Sequence, residues 1–161
     1  ERGDDPDKLA AIYADVLNCA LEGKPDDLIV GLHVCRGNFR STWISEGGYE
    51  PVAEILFGRV NVDAFFLEYD NDRSGDFAPL RFIRPGHQKA VLGLITTKNG
   101  ELENPQGVKA RVEEASQYVA LDQICLSPQC GFASTEEGNS LSEQQQWDKV
   151  RLVTGIATDI W

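Results

Sequence analysis

Methionine is missing from all 161 positions, the first included, which leaves open that the sequence is a piece cut from a longer chain. Basic residues are also scarce: 15 Lys and Arg stand against 26 Asp and Glu, for a formal net charge of −11. A surface of that sign repels phosphate, which argues against electrostatic binding to nucleic acid or to an anionic membrane. No apolar run approaches the roughly 20 residues that span a bilayer, and no leader-like segment opens the sequence. A soluble, cytoplasmic chain is expected. Cysteine occurs four times and histidine twice, too sparsely for a disulfide framework. A place where the two coincide therefore carries information.

What is present suits a single α/β domain over residues 1–161, since chains of roughly 100–200 residues usually form one. Helical periodicity runs from Asp5 to Leu21 through Leu9, Ile12, Tyr13, Val16 and Leu17, with Asp4, Asp5 and Asp7 suiting a helix start. Asp27 to Val34 reads as a short strand, its apolar run continuous as if both faces were covered. A polar loop with Gly37, Gly47 and Gly48 leads to a helix over Tyr49–Val60. A second strand spans Val62–Tyr69 and a third Lys89–Ile95, with a short helical turn at Phe77–Ile83 between them. A helix over Pro105–Val119, a strand over Gln123–Leu126 and a last helix over Ser142–Ile160 complete the chain. Alternation of short buried strands with helices predicts about four parallel strands joined by crossovers. That count makes half of a (β/α)8 barrel or a small open sheet; the Gly-rich phosphate fingerprint of dinucleotide-binding sheets is absent.

Chemistry-bearing residues gather at strand ends. His33 and Cys35 lie two apart, hence on one side of an extended segment. Glu68 closes the second strand, and Cys130 follows the fourth. In parallel α/β folds all strand C-termini share one face, where sites form, so these four side chains could converge as zinc ligands. Thiolates favour zinc over the oxygen-seeking magnesium and calcium. Taken singly, each has an ordinary structural explanation, such as a buried thiol or a carboxylate satisfied by arginine. Cys19 and Cys125, inside elements, are expected to be small buried hydrophobes, and His87 an ordinary surface residue at the opposite rim.

Leu32-His33-Val34-Cys35-Arg36-Gly37-Asn38-Phe39, Phe66-Leu67-Glu68-Tyr69 and Ser127-Pro128-Gln129-Cys130-Gly131-Phe132 together resemble cobalamin-independent methionine synthases. The resemblance is closer to their shorter single-barrel relatives, described as 5-methyltetrahydropteroyltriglutamate–homocysteine methyltransferase-like, and covers about Leu28 to Trp161. It implies the C-terminal half of a (β/α)8 TIM barrel and a Zn2+ ion held by His33, Cys35, Glu68 and Cys130, with no catalytic residue beyond that metal site. It also implies homocysteine and a methyl-folate as substrates. Arg36, Asn38 and Lys98, with Arg40 and Arg73, are candidates for contacts to the methyl donor. One departure stands out: Leu94-Ile95-Thr96-Thr97-Lys98 replaces the segment that bears a proposed proton-donating histidine in the full-length synthases. By the same resemblance, much of the substrate pocket belongs to the half barrel before this chain, so association with an N-terminal half or self-association is expected. Another methyl donor, a structural zinc without activity, and a metal-free binding module remain alternatives.

Overall fold

The computed structural model describes residues 3 and 5–161, so Asp4, one of the acidic residues assigned to a helix start, lies outside the described residues. Helix α1 (Pro6–Ala20) leads to strand β1 (Gly31–Val34), helix α2 (Glu50–Arg59) and strand β2 (Ala64–Glu68). Strand β3 (Lys89–Ile95), helix α3 (Pro105–Ala115), strand β4 (Ile124–Pro128) and helix α4 (Glu143–Ile160) follow. Short 3₁₀ turns at Asp72–Ser74 and Ala78–Phe82 sit between β2 and β3, and a third, Leu121–Gln123, precedes β4. The strands pair in the order β1-β2-β3-β4, all parallel, as expected for half a (β/α)8 barrel.

Helix starts are written locally. Asn104 accepts from the Gln106 and Gly107 amides just ahead of Pro105, and Ser142 and Gln145 form a reciprocal capping box on α4. The register divides the sheet into two faces. Leu32, Phe65, Ala90 and Ile124 align across one face with Val34, Leu67, Leu92 and Leu126, and this face builds the core with Ala53, Phe57, Val108, Val112 and Ile156. The other face carries His33, Phe66, Val91 and Cys125 in one row and Glu68, Gly93 and Ser127 in the next. It is only partly covered: Phe66 is 40 % exposed.

That open face explains where the strand expectation was too broad. Only Gly31–Val34 is strand, and its residues alternate in exposure instead of being uniformly buried. β1 lies at the edge of the sheet, and Ile29 is 81 % exposed. In α1, Ile12, Tyr13 and Val16 likewise face outward, while Ala14 is buried and Leu17 packs on the core. Cys19 is exposed and Cys125 half-buried, so neither is the fully buried hydrophobe expected.

Gly93 fixes how β4 leaves the sheet. The β3–β4 register shifts between Gly93 and Ile95, and the Gln129 amide donates to Ile95 O at 2.8 Å. A Cβ on Gly93 would lie 2.5 Å from Gln129 Cα and 2.8 Å from Leu67 O. No side chain fits there without moving the backbone that presents Cys130. Gly93→Ala is expected to cost about 1–3 kcal/mol, the usual penalty of overpacking, measured as a lowered midpoint in denaturant unfolding.

Candidate metal centre

β1 ends at Val34, so the chain leaves the sheet between His33 and Cys35 and folds back at once. Gly37, with φ of 101°, makes that reversal: a Cβ there would strike the Ile44 side chain at 2.5 Å. The Ile44 and Ser45 amides both donate to Arg36 O, closing a loop that keeps Cys35 at the sheet's rim. The Gly37 amide points at Cys35 Sγ, 3.4 Å away.

The parallel ladder then brings the other strand ends alongside. His33 Nε2 is 3.5 Å from Cys130 Sγ and 3.5 Å from Glu68 Oε1, while the Cys35 and Cys130 sulfurs are 3.9 Å apart. One ligand atom from each of the four residues lies within 4.8 Å of all the others. Around a zinc with bonds of about 2.0–2.3 Å, neighbouring donors sit roughly 3.3–3.8 Å apart, so the cluster has the size of an N/S/O coordination shell. A hollow of about 310 Å³ on the open face, lined by His33, Phe66, Pro128, Gln129 and Cys130 among others, adjoins it.

Glu68 is held from both ends. Its amide donates to the Tyr49 hydroxyl at 2.8 Å, and its carbonyl accepts from Ser74 Oγ at 2.7 Å. Oε1 accepts from the Arg36 amide at 3.1 Å. Oε2 is buried with no hydrogen-bond partner. An ionised oxygen sealed from water and left unpaired is costly unless a cation joins it. That orphan, beside two thiols and an imidazole, fits a zinc ion.

The pair His33–Cys130 is polarised. The hydrogen bonds to Cys130 and then Glu68, working against burial, push the imidazole up to about 10. The Cys130 thiol falls to about 7, chiefly because of His33, with Ser134 and the Gly131 amide assisting against burial. Without metal, the site at neutral pH thus holds a protonated imidazole beside a partly ionised thiol.

Arg36, Asn38 and Lys98 are all buried and engaged within the protein. The Arg36 guanidinium reaches Ser74 Oγ and Arg73 O and lies over the Tyr49 ring at 5.0 Å. Asn38 bridges the Cys35 and Cys130 loops, and Lys98 Nζ donates to Gly37 O, Asn38 Oδ1 and Thr42 O. Arg73 stacks on Trp43 at 4.2 Å. Arg40 is exposed, and His87 is exposed ahead of β3, at the opposite rim. Tyr49, whose hydroxyl burial drives up to about 12, escaped sequence reading. An aromatic opening a helix after two glycines looks like core, and nothing in its spacing shows that its hydroxyl clamps a strand end.

No family model matches the chain. It is 59 % identical over 159 residues to the uncharacterized protein YxjH of Bacillus subtilis (strain 168), covering 99 % of this chain and 42 % of that protein. YxjG of the same organism is 58 % identical over the same length, again with 42 % covered. The chain thus spans about two fifths of the curated relatives it matches. Among solved structures it is similar to a Listeria monocytogenes protein described as a candidate vitamin-B12-independent methionine synthase. That match has a TM-score of 0.79 and 47 % identity, covering 100 % of this chain and 44 % of that one. A B12-independent methionine synthase of Shewanella sp. W3-18-1, solved with selenomethionine, shares the fold at a TM-score of 0.69 and 23 % identity, covering 94 % and 46 %.

For His33 to coordinate a metal it must lose its proton, and below about 7 Cys130 must lose one too. Apparent zinc affinity is therefore expected to rise with pH by at least about tenfold per unit between 7 and 9, and more steeply below 7. Chelator competition at a series of pH values reads this directly; a flat profile would contradict the raised imidazole.

Proposed function

We propose that this chain is the metal-bearing half of a zinc-dependent, cobalamin-independent methyltransferase acting on a thiol, with homocysteine as acceptor and a 5-methyltetrahydrofolate as donor. The observation that carries the reading is the convergence of His33, Cys35, Glu68 and Cys130 within 4.8 Å, with Glu68 Oε2 buried and unpartnered. The likeness to proteins described as B12-independent methionine synthases supports it.

A homocysteine thiol is a weak nucleophile at neutral pH because little of it is thiolate. Bound zinc supplies the Lewis acidity that deprotonates a coordinated thiol. Cys35 and Cys130 add negative charge to the site and so keep a nearby sulfur electron-rich. Glu68, the one oxygen donor among two sulfurs and an imidazole, would be the ligand that an incoming sulfur displaces most easily. The hollow beside His33 and Cys130 gives that sulfur room. In the transfer, the substrate sulfur forms a bond to the methyl carbon as the bond from methyl to N5 breaks. The electron pair leaves on N5, which takes up a proton. Arg36, Asn38 and Lys98 serve this chemistry by shaping the loops around the thiolates. Groups that hold the amino-acid end of homocysteine and most of the folate belong to the remainder of a longer barrel, present as another chain segment or as an associated half.

A second reading has one observation in its favour: four protein donors usually mark a closed structural zinc site. Homocysteine separates the two. The purified protein is expected to hold one zinc, lost or at least about a hundredfold weaker in Cys35→Ser and Cys130→Ser. Added homocysteine should raise the number of sulfurs seen by zinc X-ray absorption. A zinc-loaded protein whose spectrum ignores homocysteine supports the structural reading, and a chain with all four residues intact that takes no zinc refutes both.

A further inference from the structure

The loops bearing the two cysteines come from opposite edges of the sheet. Cys35 follows β1 and Cys130 follows β4, with β2 and β3 between them. No strand ladder joins their tips, yet the sulfurs sit 3.9 Å apart. Further along the two loops Ser41 meets Asn139 and Ser140, but beside the sulfurs the crossing is made by Asn38. Asn38 Nδ2 donates to Gly131 O at 2.6 Å and to Ser134 Oγ at 2.7 Å, both in the loop that follows Cys130. Ser134 Oγ in turn lies 3.7 Å from Cys130 Sγ. The opposite end of the amide, Oδ1, accepts from Lys98 Nζ at 2.6 Å. The orientation of the amide is unambiguous, because an ammonium can only donate and a carbonyl can only accept.

Lys98 is itself tied down. Its Nζ also meets Gly37 O and Thr42 O, at 2.9 and 3.1 Å, so it grips the Cys35 loop at three points. Its backbone amide donates to Thr96 Oγ1, and the Thr96 amide donates to Glu103 Oε1 at 2.8 Å. Glu103 pairs at 3.0 Å with Lys149, which is fully buried on α4. The chain of contacts runs from the folded core through Lys98 to Asn38, and from Asn38 to the Cys130 loop.

We infer that Asn38, seated by Lys98, is a positioning residue that sets the spacing of the Cys35 and Cys130 sulfurs, and through it the affinity of the site for a thiophilic divalent metal. The inference rests on the metal reading given above. Partners that orient ligand-bearing groups typically contribute about 10–100-fold to metal affinity, and a strut that joins the two loops right beside their ligand sulfurs belongs in that range.

Asn38→Asp is the sharpest variant. It is nearly isosteric and keeps the oxygen that faces Lys98, but it loses the donor to Gly131 O and sets a carboxylate against that carbonyl. Two readouts decide the matter. With metal, zinc affinity by chelator competition should fall by about 10–100-fold, and the thiolate-to-metal charge-transfer bands of the Co2+ form should shift. Lys98→Gln, which releases the grip on Asn38 without adding charge, should act in the same direction and serves if Asn38→Asp does not fold. A folded variant whose affinity stays within about threefold of the parent protein, with an unchanged Co2+ spectrum, overturns the inference. Without metal, hydrogen exchange at the amides of residues 131–134 should quicken by about tenfold or more in Asn38→Asp, and unaltered protection also overturns it. If the parent protein takes up no zinc, the metal reading fails by itself, and the exchange measurement alone then decides whether Asn38 holds the two loops.

Discussion

Burying a carboxylate while leaving one of its oxygens unpaired costs several kcal/mol even after the protein relaxes, and the region around Glu68 is arranged about that cost. The strand that carries it is pinned by Tyr49 and Ser74 through backbone atoms, which fixes the point from which the side chain projects. The Arg36 amide satisfies Oε1, and His33 approaches the same oxygen. Only Oε2 is left. That leaves one buried carboxylate oxygen open to a further donor or cation.

Parallel pairing explains how donors so distant in sequence reach that spot. The register sets Glu68 beside Gly93 and Gly93 beside Ser127, and the glycine lets the β4 backbone pass close enough to bring Cys130 over the sheet. Any larger residue there would press both on Gln129, next to Cys130, and on the Leu67 carbonyl of β2. The ladder thus does the coarse placement, and loop contacts do the fine placement. Arg36 seals the Tyr49 and Ser74 side, while Lys98 and Asn38 tie the Cys35 side to the Cys130 side. Among the described residues, the buried cations Arg36, Lys98 and Lys149 all belong to the scaffolding on which this rim depends.

Much of this was legible from the amino acids. Alternating strand and helix patterns announced the parallel sheet, and His33, Cys35, Glu68 and Cys130 stood out because all four fell at strand ends. What escaped did so for physical reasons. The run Leu28-Ile29-Val30 has the hydropathy of a buried strand, but it lies beyond the last paired residue of an edge strand, and apolar residues carry no mark of whether a neighbour will be there. Cys19 shows the same blindness on α1: its helical position is plain, its exposure is not. Arg36, Asn38 and Lys98 were legible as polar groups close to the site, but the bonds that their side chains make within the protein were not. Their partners are carbonyls and hydroxyls up to 96 residues away, which no local pattern reveals. The Tyr49 hydroxyl is the clearest instance, since its value comes wholly from two backbone atoms of another element.

The sequence distance between the ligand-bearing segments has a thermodynamic consequence. Cys130 meets Cys35 across 95 residues and His33 across 97, nearly the whole span of the sheet. An unfolded chain holds these groups far apart, so an ion that needs them together recognises the assembled state almost exclusively. Such an ion would deepen the native basin by about 2.7 kcal/mol at a hundredfold excess over its dissociation constant, an amount comparable to a sizeable share of a typical domain's net stability. Loss of such an ion would therefore weaken the fold as well as empty the site.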